Sequence, residues 1–140
     1  MMEGNRQMVG IVIVSHLNLA CELLRTAELI VGKVPASRAL SLDPKKDVEV
    51  LRKEIQTAIK EVNSGDGVII LTDMFGGTPS NLALTFLSPQ VEVVSGVNLP
   101  MLIKVTAQRA EQPLNDLAIK AKEYGRNNIN VATEFLSKKG

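Results

Sequence analysis

Short, unbroken apolar runs alternate with longer segments whose apolar residues recur at helical spacing, and this alternation constrains the fold more than any other feature of the chain. Residues 8–14 are dense in β-branched side chains and bounded by polar ones, which predicts a strand buried on both faces. After it, Ala20, Leu23, Leu24, Ala27 and Val31 form a helical stripe, with Gly32 as its stop. Residues 38–42 are a weaker strand. Asp43-Pro44 is expected to open the next helix, Asp43 as N-cap and Pro44 at the first helical position. Its inward stripe is Val48, Leu51, Ile55, Ala58, Ile59 and Val62, and its charged residues form a solvated face. A turn at 63–67 leads to a third buried strand at 68–72. Thr78-Pro79 begins another helix, and residues 91–95 make a fourth strand. Pro100 and Pro113 mark the first turns of two more helices, the second ending near Gly125. Such an order implies one α/β domain over residues 1–140, with a largely parallel central sheet and helices on both faces. Residues 129–135 alternate as a strand does, but Asn127-Asn128 leaves no room for a crossover helix. That predicts an antiparallel C-terminal edge strand, and exchanging it in a homodimer buries two edges at once.

Composition narrows the function. The 140 residues are 45% hydrophobic and 22% charged, as expected of one compact soluble domain. Sixteen basic against fifteen acidic residues leave a formal charge of +1, with no general electrostatic attraction for nucleic acid. Aromatic residues are only 3%, so the core must be aliphatic, and stacking on bases or sugars has few residues to draw on. A single cysteine excludes an intrachain disulfide. The apolar runs fall far short of the roughly 20 residues of a spanning helix, and residues 1–8 do not read as a signal peptide. The expected location is the cytoplasm.

In open parallel sheets, ligands gather beyond the carboxyl ends of the strands where the winding reverses. Two strand ends here carry reactive side chains, one closing on Ser15-His16 and the other continuing into Asp73-Met74-Phe75-Gly76-Gly77-Thr78-Pro79. If these strands are neighbours, the only histidine faces Asp73. A carboxylate that accepts one ring N–H fixes the tautomer and leaves the other nitrogen nucleophilic. Helices start just after both strand ends, so unpaired backbone N–H groups point into the same space. Gly76 and Gly77 permit close backbone approach, and the Thr78 hydroxyl can cap a helix or donate to an oxyanion. This suits a phosphate bound to, or passing through, His16. A lone histidine at a strand end with an unrelated helix-capping aspartate meets the same pattern, and spacing does not choose between them.

Other chemistries fit less well. His16 and Asp73 are two potential metal ligands at most, so no metal is expected. Ser15 cannot complete a hydrolase triad with His16, because adjacent strand residues face opposite ways, and no G-x-S-x-G elbow is present. Cys21 reads as a small buried thiol. The glycine pair lacks both the P-loop lysine and the G-x-G-x-x-G pattern, so no cofactor is indicated.

Residues 10–16 (GIVIVSH), 72–81 (TDMFGGTPSN) and 96–102 (GVNLPML) together resemble the enzyme IIA component of mannose-type sugar phosphotransferase systems, in order and across almost the whole chain. The resemblance implies a phosphocarrier in which His16 takes a phosphoryl group from the carrier protein HPr and gives it to a IIB component. IIB then phosphorylates the sugar entering through the membrane permease, which this chain reaches only through IIB. Asp73 would hold the ring so that Nε2 carries the phosphoryl group, with Leu17, Gly76, Gly77 and Thr78 around the phosphate. A homodimer with an exchanged C-terminal strand is also implied. A related branch serving dihydroxyacetone kinase lacks the D-x-x-G-G-T/S-P pattern, which places this chain with the sugar systems. Since the sequence ends at Gly140, the IIB partner is expected on a separate polypeptide. One departure stands out: the family usually has glycine after the active histidine, where this chain has Leu17, expected to crowd the phosphate pocket or narrow the HPr surface. A regulatory module that senses phosphorylation state without feeding a transporter would use the same His16.

Overall fold

The computed structural model describes residues 7–139. Residues 1–6, on which the signal-peptide reading bears, and Gly140 lie outside the described residues. In chain order the elements are β1 (Gly10–His16), α1 (Leu19–Val31), β2 (Ser37–Leu42), α2 (Val48–Val62), β3 (Val68–Thr72), α3 (Thr78–Leu84), β4 (Val91–Ser95), α4 (Leu99–Gln108), α5 (Leu114–Asn127) and α6 (Ala132–Lys139). The strands pair in the order β2-β1-β3-β4, each neighbouring pair parallel. From β1 the chain steps outward to β2 and then crosses back to β3 on the other side. The winding therefore reverses between β1 and β3, which opens a crevice at their carboxyl ends.

The central strands are apolar up to their polar carboxyl ends, Ser15-His16 and Thr72, because they are covered on both faces. Successive side chains alternate between two cores. Ile11, Ile13, Ile69 and Leu71 pack with Ala20 and Ala27 of α1, Leu102 and Val105 of α4, and Leu117 and Ala121 of α5. Val12, Val14, Val68 and Ile70 pack on the other side with Leu51 and Ile55 of α2 and Leu82 and Ala83 of α3. Apart from Met101, the buried members of both cores are aliphatic, as the low aromatic content requires. Each large aliphatic side chain moved from water to such a core contributes roughly 1.5–3 kcal/mol.

Strands β3 and β4 fall where expected, and Gly32 caps α1, its N–H donating to the Glu28 carbonyl at 2.9 Å. Helix α2 starts later than Asp43-Pro44 suggests: its N-cap is Asp47. The Asp43 side chain instead accepts the Lys45 N–H at 2.9 Å and its carbonyl accepts the Lys46 N–H at 3.0 Å, closing a local turn. An aspartate that bonds its own neighbours makes a turn as readily as a cap. Buried positions in α2 are Leu51, Ile55, Ala58 and Val62, whereas Val48 is exposed. Among the described residues, no helix is long and apolar enough to cross a membrane.

The C-terminal segment departs from expectation. No strand forms over residues 129–135, and residues Ala132–Lys139 are helical as α6, with the Phe135 N–H donating to the Val131 carbonyl at 3.0 Å. A helix satisfies its own backbone, whereas an edge strand must borrow a partner's, and Ala, Glu, Leu and Lys are good helix formers. The alternation of Ile129, Val131 and Thr133 is too short to outweigh that local advantage in a single chain.

Gly10 shows how closely α2 meets the sheet. A Cβ there would lie 2.4 Å from the Val62 carbonyl oxygen and 2.6 Å from Val62 Cγ2. Because the obstacle is backbone, Gly10→Ala is expected to cost about 1–3 kcal/mol, read as a lower urea midpoint with unchanged slope.

Candidate active site

The β1–β3 register sets Val14 opposite Thr72, so the residues that follow meet at the crevice. His16 ends β1 with its side chain about half exposed, and Asp73 follows β3 with its side chain only 9% exposed. One carboxylate oxygen of Asp73 makes two contacts with the histidine. Oδ2 accepts the His16 backbone N–H at 2.9 Å and lies 2.7 Å from ring Nδ1. The other oxygen, Oδ1, accepts the Met74 N–H at 3.0 Å. An ionised carboxylate only accepts hydrogen bonds, so the proton in this pair belongs on Nδ1 and Nε2 is left with its lone pair. The structure thus favours the His–Asp pair over the lone histidine that spacing left open.

Burial pushes the Asp73 carboxyl upward. The His16 backbone N–H, the His16 ring and its charge, and the Met74 N–H outweigh it, leaving Asp73 below the ordinary carboxylate value.

Gly77 lies against the ring. A Cβ there would be 2.7 Å from His16 Cε1 and 3.1 Å from Nε2, so any side chain would press on the free nitrogen. Gly76 has φ +94°, a conformation L side chains rarely adopt. Helix α3 begins at Thr78 as expected, and of the two roles open to its hydroxyl, capping is not found, since Gly77 is the N-cap. Thr78 instead lines a small cavity of about 80 Å³ with His16, Leu17, Leu42, Leu51 and Pro79 among its walls. Leu17 sits at φ +46°, the left-handed region that favours glycine, and the residue is 72% exposed. The departure from glycine is thus a matter of backbone conformation as much as of bulk. Leu19, Met74 and Phe75, close in sequence to His16 and Asp73, are also exposed.

Cys21 turns away from the crevice toward β2, its sulfur 3.3 Å from Ser41 Oγ. Two sets of hydroxyls went unread in the sequence. Thr72 Oγ1 donates to Ser95 Oγ at 2.9 Å and Ser80 Oγ lies 3.2 Å from the same atom, joining the ends of β3 and β4 to the start of α3. Ser15, dismissed as a nucleophile, is fully buried beneath the histidine turn. The available signal was a hydroxyl in otherwise apolar surroundings, which must find partners.

Fold and site together define an open, doubly wound α/β protein with a carboxylate-held histidine at its switch point. Residues 10–122 match the family described as PTS system fructose IIA component. The chain is 28% identical over 133 residues to the fructose-specific EIIA component of Bacillus subtilis, covering 94% of this chain and 91% of that one. It is 31% identical over 126 residues to the mannose-specific EIIAB component of Escherichia coli, covering 88% of this chain but 39% of that longer protein. Among solved structures, a PTS IIA protein associated with the fucose utilization operon of Streptococcus pneumoniae superposes with a TM-score of 0.82 at 28% identity, covering 93% and 97% of the two chains. The chain belongs to the mannose-family IIA components of the sugar phosphotransferase system, and is a phosphotransferase component with a phosphocarrier role.

The lowered Asp73 carboxyl has a pH consequence. A group whose folded-state value is depressed contributes stability above its unfolded value and loses it as pH falls through the folded one. Urea midpoints are therefore expected to decline as pH drops through and below the ordinary carboxylate range. Asp73→Asn should show a shallower acid decline than the parent protein.

Proposed function

We propose that His16 accepts a phosphoryl group from phospho-HPr and passes it to a IIB component, which phosphorylates a sugar entering through the permease. The observation that carries this reading is the 2.7 Å contact between His16 Nδ1 and Asp73 Oδ2 on a half-exposed ring. The Nε2 lone pair attacks phosphorus, an N–P bond forms, and the donor's bond to phosphorus breaks. The proton on Nδ1 stays in place, and Asp73 stabilises the positive charge the ring acquires. Gly76, Gly77, Leu17 and Thr78 surround the phosphoryl oxygens, with backbone N–H groups at the start of α3 available to them. The exposed apolar residues Leu17, Leu19, Met74 and Phe75 belong to the docking surface that donor and acceptor use in turn. Both encounters take place in the cytoplasm, and the membrane is met only through IIB.

Incubation with phosphoenolpyruvate, enzyme I and HPr is expected to add the mass of one phosphoryl group. The group should be lost in acid, kept in alkali and absent from His16→Ala. A label that survives acid, or that remains in His16→Ala, would overturn the assignment.

A homodimer completes the proposal. Ile129, Val131, Phe135 and Leu136 expose apolar surface on the C-terminal segment, and β4 closes one side of the sheet with no further strand among the described residues. Contact of that segment with a second copy covers both. Truncation after Asn128 leaves α5 intact, and light scattering should then report a monomer. A truncated protein that remains dimeric would place the interface elsewhere.

A further inference from the structure

We infer that Ser15 is a positioning residue for His16, its buried hydroxyl holding the strained turn from which the imidazole projects. The link between β1 and α1 is only Leu17 and Asn18, and Leu17 occupies the left-handed region at φ +46°. A leucine does not stay there unless its surroundings hold it. Asn18, the N-cap of α1, makes no side-chain capping bond. Ser15 supplies that bond from outside the helix: its Oγ accepts the buried Ala20 N–H at 2.7 Å. The same hydroxyl has one proton to give, with the His16 carbonyl at 3.0 Å and the Leu17 carbonyl at 3.4 Å as acceptors. Ser15 thus joins both sides of the turn through one atom, with no exposure to water.

The histidine is consequently held from two directions. Asp73 fixes its backbone N–H and its ring, while Ser15 fixes its carbonyl and the turn that follows. If the hydroxyl is removed, Ala20 loses its acceptor and Leu17 is free to relax toward negative φ. That rotation carries the His16 main chain with it, and the ring can no longer reach Asp73 in the same pose. The inference rests on the phosphocarrier reading for its kinetic consequence, but its geometric consequence stands apart from it.

The test compares Ser15→Ala, Ser15→Cys and Ser15→Thr. Cysteine keeps the size with a weak hydrogen-bonding group, and serves if the alanine variant does not fold; threonine keeps the hydroxyl. Nitrogen-15 NMR of the unphosphorylated His16 ring reads its tautomer, and phosphoryl uptake from phospho-HPr reads its reactivity. In the parent protein and Ser15→Thr the ring should show a single tautomer protonated on Nδ1. In Ser15→Ala or Ser15→Cys that signature should give way to a mixture, with uptake slowed roughly 10- to 100-fold. An unchanged ring signature in a folded Ser15→Ala or Ser15→Cys protein, with only the unfolding midpoint lowered, would reduce Ser15 to a helix cap and overturn the inference. Failure of the parent protein to take phosphate would sink the phosphocarrier reading instead, while the tautomer measurement would still decide the role of Ser15.

Discussion

The hold of Asp73 on His16 is the interaction around which the site is organised, and it depends on the parallel register of β1 and β3. With Val14 opposite Thr72, the next residues emerge side by side at the strand ends. A slip of one residue would turn each side chain of a strand to the other face and break the pair. The register is in turn held by the two cores, because Ile11 and Ile13 belong to one and Val12 and Val14 to the other. Aliphatic packing along the strands thus sets the position of two polar groups at their ends.

Around that pair the site is made mostly of backbone. Gly77 is bare where a side chain would press on Cε1 and Nε2, and Gly76 turns at positive φ to bring it there. Leu17 accepts a conformation better suited to glycine, and buried hydroxyls of Ser15, Thr72 and Ser80 tie the adjoining elements together. In the proposed transfer, a group that develops charge only in passing would be served by fixed dipoles and one carboxylate, which need no rearrangement as the charge appears. The nearly neutral formal charge of the chain agrees with such a local arrangement.

Away from the crevice, the molecule fastens its helices with single polar residues. Asn98 caps α4 by accepting the Met101 N–H at 3.0 Å while donating to the Gly125 carbonyl of α5 at 3.0 Å. Arg109, largely buried, donates to the carbonyls of Pro35 and Ala36 just before β2. The C-terminal segment exposes Ile129, Val131 and Leu136.

The sequence by itself determined the α/β class, the places of β3 and β4 and the aliphatic core, since each follows from a local pattern repeated over several residues, whereas spacing left open whether His16 meets Asp73. Hydrophobic runs and helical stripes survive in one dimension. The start of α2 at Val48 did not, because Asp43 can close a turn as well as cap a helix. Nor did the helical state of residues 132–139, where strand and helix differ by whether a partner edge is available. Only the tertiary structure decided which oxygen of Asp73 meets the ring, the left-handed turn at Leu17 and the two-sided hold of Ser15. Those depend on distances between groups brought together by folding, and periodicity carries no record of them.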